Sequence, residues 1–95
     1  MKLFVYSVFD SKGAIYNAPF FLVNDQTAIR AFSRLVADAA TMISHAPEDF
    51  TLNRIGEFDD NTGVLSSCRP EPLANGASLR AAFVQAQSSA SAVVS

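Results

Sequence analysis

The sequence predicts an α+β fold, in which one amphipathic helix packs on an antiparallel sheet in the order ββαββ. Three observations predict it. Residues 2–9 are rich in aromatic and β-branched types, the apolar period changes to 3.6 residues from residue 26, and two strand-like segments, 50–58 and 64–68, flank a polar turn. A short C-terminal helix or a flexible tail is expected to follow.

The first two strands are predicted in residues 2–23. Residues 2–9 are largely apolar on both alternating faces, which indicates an interior strand that is covered on both sides. Residues 10–13 (DSKG) have turn chemistry, and residues 14–16 begin a return strand. Pro19 then interrupts the chain, so residues 20–23 (FFLV) form the second strand.

The helix is predicted to begin at Asn24 and Asp25, because both are favourable N-cap residues. Arg30 and Arg34 lie outside its apolar stripe, and Pro47 ends the helix because the residue before a proline avoids helical ψ. The stripe indicates an amphipathic helix packed on a sheet. It consists of Ala28, Ile29, Phe32, Leu35, Val36, Ala39 and Ile43.

The second half supplies the other two strands. Residues 50–58 form the third strand, and residues 59–63 (DDNTG) form a hairpin turn whose glycine takes the left-handed conformation. Residues 64–68 form the returning strand, which Pro70 and Pro72 are expected to stop.

The larger apolar residues become sparse after residue 74, so residues 1–73 are predicted to form a single domain. Residues 74–95 are predicted to be a C-terminal appendage, partly disordered. Within it, residues 79–87 could form a short helix, and the uncharged Ala/Ser-rich residues 88–95 are expected to be mobile because they bury too little apolar area.

The charge distribution argues against a strong non-specific nucleic-acid binder. The net charge is −2, with +1 in residues 1–46 and −4 in residues 47–72. Such binders usually have a basic surplus, because their affinity comes from phosphate neutralisation. Any DNA contact is therefore expected to be weak per subunit, concentrated on one face, or multiplied by oligomerisation. No apolar run is long enough for a membrane helix, and no signal peptide is expected.

Candidate catalytic and metal sites are few, and a structural role is favoured for each. His45 lies in a helix-ending turn without a second histidine, and Cys68 has no nearby base, so neither predicts a metal centre or a nucleophile. Residues 59–63 lack the spaced oxygen ligands of a complete calcium loop. We therefore expect a non-enzymatic protein without a cofactor.

The remaining pattern combines cations with aromatic rings, as in proteins that bind single strands. The alternative interpretation is a solvated helix face and aromatic side chains that fill the core. The candidate DNA-binding residues are Lys2, Tyr6, Lys12, Tyr16, Arg30, Arg34 and Arg54.

Five segments carry a family resemblance that spans about residues 1–72. They are MKLFVYSVFDSK (1–12), PFF (19–21), AIRAF (28–32), PEDFTL (47–52) and IGEFDD (55–60). They resemble the small non-structural proteins of gokushovirus-type microviruses, tailless phages with circular single-stranded DNA genomes. The resemblance implies a DNA-binding role in the turn from double-stranded replication to single-strand production and packaging, in the host bacterial cytoplasm. It implies no catalytic motif and assigns no residue a role.

Two hypotheses follow. In the first, an oligomer of this chain binds single-stranded DNA through the helix arginines and neighbouring residues. In the second, the chain contacts the phage replication initiator, the capsid or a host protein through a sheet edge or the acidic hairpin, without binding DNA. Both expect self-association, because the predicted helix covers only one face of a small sheet.

Overall fold

The computed structural model of the protein describes residues 1–84. It confirms the α+β class: helices pack on one face of a five-stranded antiparallel sheet. The strands are β1 (Lys2–Asp10), β2 (Ile15–Tyr16), β3 (Phe20–Leu22), β4 (Phe50–Asp59) and β5 (Leu65–Asn75). The helices are α1 (Asp25–Ala37), α2 (Met42–His45) and α3 (residues 76–84), with a 3-10 turn at Pro47–Asp49.

The sheet is built around β1. On one side β1 pairs with both β2 and β3, and on the other it pairs with β4, which in turn pairs with β5. The β1–β4 register joins Lys2 to Asp59 and Asp10 to Phe50, with one irregularity where Ile55 is the additional residue of β4. The prediction of an interior first strand is therefore confirmed, and β5 is an edge of the sheet.

The core lies between the sheet and the helices. Its largest fully buried apolar side chains are Tyr6, Phe32 and Leu52. α1 contributes Ala28, Phe32 and Val36, which are spaced four residues apart and so share one face of the helix. We call the helix-covered side of the sheet the inner face and the opposite side the outer face.

The two faces of β1 are covered by different parts of the chain. The inner face is covered by helices, as expected. On the outer face Val5 and Ser7 are also buried, but no helix within residues 1–84 packs there. Instead the Ser7 hydroxyl donates to the Asn17 carbonyl over 2.6 Å, and Pro19 lies beside Val5. The connection between β2 and β3 therefore supplies part of the cover.

The predicted helix is shorter than its apolar stripe. α1 ends at Ala37, because Asp38 takes a non-helical ψ of 107° and its carboxylate accepts from the Ala40 amide. Thr41 then caps α2, so Ile43 reaches the core from a separate turn of helix. Extending the helix through Ala39 to Ile43 was wrong, and Leu35 and Ala39 are exposed.

The expected stop at the two prolines was also wrong, since β5 continues through Pro70 and Pro72 to Asn75. Both prolines are tolerated because β5 is an edge strand and its pairing with β4 is irregular in this stretch. The predicted hairpin turn is confirmed: Gly63 has a φ of 75° and donates its amide to the Asp59 carbonyl.

The chain beyond residue 73 contributes to the packing. Leu73, Ala74 and Leu79 pack against the core cluster, and the Arg80 guanidinium donates to the Val36 carbonyl over 2.9 Å. Residues 74–84, predicted to belong to the appendage, are therefore strand and helix in contact with the core. The expectations for residues 85–95, including the mobile tail, lie outside the described residues.

Candidate nucleic-acid interface

α1 presents two arginines to solvent. Asn24 fixes the start of the helix, because its side-chain oxygen accepts from the Thr27 amide over 2.8 Å. Arg30 and Arg34 are each offset by two positions from a buried residue, which places them on the side of α1 away from the core. Both are exposed, and neither forms a salt bridge or a side-chain hydrogen bond within residues 1–84. We call this pair the arginine strip.

The two candidate lysines are exposed but lie near carboxylates. Lys2 Nζ is 3.6 Å from Glu57 Oε2, and Lys12 Nζ is 3.9 Å from Asp49 Oδ2. Such surface pairs contribute little to stability and can be exchanged for a phosphate. However, Lys2 begins β1 and Lys12 follows its end, so roughly 25–30 Å of strand separates them. The structure does not gather the predicted cations into one patch.

Tyr16 is the candidate aromatic residue with an open ring face. It lies in β2 opposite Phe9, is 44% exposed, and its ring centroid is 4.7 Å from that of Phe9. Because Phe9 supports one side of the ring and solvent reaches the rest, Tyr16 is available for stacking on a base. It belongs to the outer face of the sheet, whereas the arginine strip lies beyond the inner face.

Tyr6 and Arg54 take part in a network of hydrogen bonds that stabilises the fold. Tyr6 is fully buried, and its hydroxyl donates to Asp25 Oδ1 over 2.8 Å. Arg54 donates through Nη1 to Asp25 Oδ2 over 2.9 Å and through Nη2 to Glu71 Oε2 over 2.6 Å. Its guanidinium carbon also lies 5.3 Å from the centroid of the Phe4 ring. Four elements, β1, α1, β4 and β5, are joined in this way.

The ionisation of the network supports the same assignment. Burial, reinforced by the hydrogen bond to Asp25, raises the pKa of Tyr6 well above its ordinary value. The hydrogen bond to Glu71 raises the pKa of Arg54. A fully buried tyrosine has no face for a base, and a guanidinium held by two carboxylates has little capacity for phosphate. Tyr6 and Arg54 therefore serve the fold, and we leave both out of the DNA contact proposed below.

The carboxylates that hold this network were missed at the sequence level. Asp25 was interpreted only as an N-cap candidate, but Asn24 performs that role and Asp25 turns toward Arg54. Glu71 lies beyond the predicted end of the last strand, so its pairing with Arg54 had no basis in the pattern. An acid in the first turn of α1 was the one available signal, since such acids interact favourably with the helix dipole.

The remaining candidates are dispersed. His45 is exposed in α2, and Cys68 is exposed on β5 with its Sγ 3.8 Å from the Arg54 carbonyl oxygen. Within residues 1–84 no group of three or more histidine, cysteine or acidic side chains is placed to hold a metal ion. In the same part of the chain, no helix is both long and apolar enough to cross a membrane.

The acidic hairpin between β4 and β5 is organised by its own backbone. Asp59 Oδ1 accepts from the Asn61 amide over 2.9 Å, and this hydrogen bond lowers the pKa of Asp59. Asp60 Oδ1 lies 2.7 Å from the N-terminal ammonium group of Met1. These contacts fit the structural interpretation of the turn and leave its carboxylates at the surface.

Comparison with known proteins places the chain in a family. No curated protein and no solved structure matches it. The model of the family described as Phage ORF5 protein matches residues 3–79, which include all five strands except the first residue of β1, and the first turn of α3. The matched region is well over half of the chain, and on that basis the chain is a phage protein that belongs to the Phage ORF5 protein family.

Proposed function

We propose that this phage protein acts by binding and not by catalysis, and that it contacts single-stranded DNA through the arginine strip of α1. The proposal assigns it to the non-structural proteins of gokushovirus-type microviruses and to the switch from genome replication to single-strand synthesis and packaging, in the host bacterial cytoplasm. The observation that carries it is the exposure of Arg30 and Arg34, one helical turn apart and unpaired within residues 1–84.

The arginine strip is suited to phosphate for geometric and electrostatic reasons. Arginine donates several hydrogen bonds in a planar fork that matches phosphate oxygens, and it remains charged at all physiological pH values. Residues four apart on a helix lie about 6 Å from each other, so the two guanidinium groups can contact neighbouring phosphates. Lys12 and Lys2 supply further positive charge only if they exchange their carboxylate partners for DNA.

The charge of the whole chain limits the affinity of one copy. With a net charge of −2 and two unpaired cations in the strip, a single protomer is expected to bind weakly. Several linked copies multiply that contact through effective concentration. The proposal therefore includes self-association. It does not rely on Tyr16, which lies on the opposite side of the sheet from the arginine strip.

A salt titration tests this proposal. Binding of single-stranded DNA is measured at several salt concentrations for the native chain and for the double variant Arg30→Ala/Arg34→Ala. When the logarithm of the binding constant is plotted against the logarithm of the salt concentration, loss of two phosphate contacts should make the slope shallower by about 1.4 per protomer. The control is Arg30→Lys/Arg34→Lys, which retains both charges and should retain most of the slope. Absence of binding at low salt, or an unchanged slope in the alanine variant, would overturn the proposal.

A second candidate function is supported by the acidic hairpin. Glu57 and Asp60 are exposed beside Asp59, in the middle of residues 47–72, a segment with a net charge of −4. In this alternative the chain contacts the phage replication initiator, the capsid or a host protein without binding DNA. Co-purification of one such partner, lost in Asp59→Asn/Asp60→Asn, would support it. Clear DNA binding by that same variant, with no partner found, would contradict it.

A further inference from the structure

The two faces of the sheet differ in charge. The strand register places six charged side chains on the inner face: Lys2, Asp10, Arg54, Glu57, Asp59 and Glu71. It places none on the outer face. Arg69 falls in the irregular stretch 68–70, where the register assigns no face. The outer face is therefore composed of apolar side chains together with serine, threonine and asparagine.

The outer face also exposes large apolar side chains. Phe21 is 44% exposed and Leu65 is 63% exposed, at opposite edges of the sheet. Between them Val5 and Ile55 line a shallow groove of about 180 Å³ that crosses the strands. Phe21 and Phe58 meet edge to face with ring centroids 5.8 Å apart, so the aromatic side chains are already positioned. No helix within residues 1–84 covers this surface.

We propose that the outer face binds the outer face of a second copy of this chain, as a two-fold symmetric stack of two sheets. Such an interface places the same patch against itself, and like charges would then oppose each other across the symmetry axis. A face on which the register places no charged side chain avoids this repulsion. The same absence disfavours a nucleic acid as the occupant, because phosphate contact requires cations.

The available area is sufficient for an association of moderate strength. Aromatic side chains expose about 200 Å² when free, so Phe21 and Tyr16 each present roughly 90 Å². With Leu65 and the partly exposed apolar neighbours, each copy offers on the order of 400 Å² of apolar surface. Because an interface core is about 65% apolar, this apolar surface corresponds to a total of roughly 600 Å² buried per copy. That area lies at the lower limit for specific complexes.

The stacked arrangement has a consequence for DNA, and this consequence rests on the proposed function. Stacked sheets are about 10 Å apart, and each copy carries α1 on the opposite, outward side. The two arginine strips then point in opposite directions, roughly 30–40 Å apart. One dimer would hold two separate segments of single-stranded DNA on its opposite sides, so the contact that linked copies multiply would be one that bridges segments.

Sedimentation equilibrium over a range of concentrations tests the interface. The native chain should reach twice its 10.2 kDa monomer mass. Leu65→Glu should weaken the association at least tenfold, because each dimer would bury two additional carboxylates. The matched control is Met42→Glu, which places the same charge at a residue of α2 that is 77% exposed and remote from the outer face. A native chain that is monomeric throughout would overturn the proposal.

A second variant covers the case in which Leu65→Glu impairs folding. Ser67 is exposed, pairs with Gly56 and lines the same groove, so Ser67→Glu adds a charge without removing apolar packing. It should also weaken association at least tenfold while circular dichroism remains unchanged. If both variants fold and associate as the native chain does, the outer face is not the interface.

A bridging assay separates this proposal from the proposed function. A biotinylated and a fluorescent single strand are mixed with the protein, and co-capture of the fluorescent strand is measured. Ser67→Glu should retain the salt slope for one strand but lose co-capture. If Arg30→Ala/Arg34→Ala still dimerises and binds DNA with the same salt slope as the native chain, the proposed DNA contact fails and the interface stands. If the native chain binds DNA as a monomer, the interface and the self-association fail, and DNA contact through the arginine strip stands.

Discussion

The two faces of the sheet show how a small chain divides structure from recognition. On the inner face four of the six charged side chains form ion pairs, Arg54 with Glu71 and with Asp25 of α1, and Lys2 with Glu57. The other two, Asp10 and Asp59, accept hydrogen bonds from backbone amides. On the outer face the strand register places no charged side chain, and large apolar side chains remain partly exposed. The inner face is therefore complete within one copy, whereas the outer face gains from a further surface.

This difference predicts unequal costs for the same substitution. Phe32 is 1% exposed between α1 and the sheet, and its replacement by alanine should lower the free energy of unfolding by about 3–5 kcal/mol. Phe21→Ala, on the outer face, should cost roughly 1–2 kcal/mol in dilute samples, because the ring is 44% exposed before the change. Urea unfolding of both variants measures the ratio.

Equal losses of unfolding free energy in Phe32→Ala and Phe21→Ala at low protein concentration would contradict this difference between the two faces. The difference would be sharpened if the Phe21→Ala loss increased with protein concentration while that of Phe32→Ala did not. Only an interface residue should depend on concentration in this way, because association stabilises the folded chain by mass action.

The inner network predicts a smaller effect. Arg54→Ala leaves Asp25 and Glu71 without their shared cation, and Tyr6 then donates to an otherwise unpaired carboxylate. Since the Arg54 side chain is 26% exposed, water compensates part of the loss, and we expect a destabilisation of about 1–2 kcal/mol. Arg34→Ala is the matched control, with an expected change within about 0.5 kcal/mol. Similar values for both variants would show that the network does not stabilise the fold.

The predictable part of this fold is the part that depends on local pattern. The starts of α1 and β4 and the Asp59–Gly63 turn follow from caps, alternation and glycine chemistry, all encoded within a few residues. The end of α1 was not predicted, although the sequence contains a signal for it. Asp38 and Thr41 are both capping types, but the apolar period continues past them and outweighed that signal.

What the sequence could not supply are long-range pairings. The continuation of β5 through Pro70 and Pro72 depends on its being an edge strand, which only the complete sheet order establishes. The exclusion of Tyr6 and Arg54 from the candidate site depends on Asp25 and Glu71, which lie 17 to 29 positions from Arg54 in the sequence. The numbers of cationic and aromatic residues alone did not distinguish side chains held in a network, such as Tyr6 and Arg54, from unpaired ones such as Arg30 and Arg34.

The smallest expected effect concerns pH. Burial and the hydrogen bond to Asp25 raise the pKa of Tyr6 above its ordinary value of 10.0. The folded chain therefore keeps a proton that the unfolded chain releases, so Tyr6 stabilises the fold fully below pH 10 and progressively less above it. In a Tyr16→Phe background, where Tyr6 is the remaining tyrosine, stability should be about 0.8 kcal/mol lower at roughly pH 10.5 than at about pH 8 from this group. Urea unfolding at both pH values, compared with Tyr6→Phe/Tyr16→Phe, isolates the contribution, because the double variant lacks the titrating hydroxyl. A tyrosinate absorbance change that precedes unfolding in Tyr16→Phe would mean that Tyr6 is open to solvent, and the division between a closed inner face and an open outer face would no longer hold.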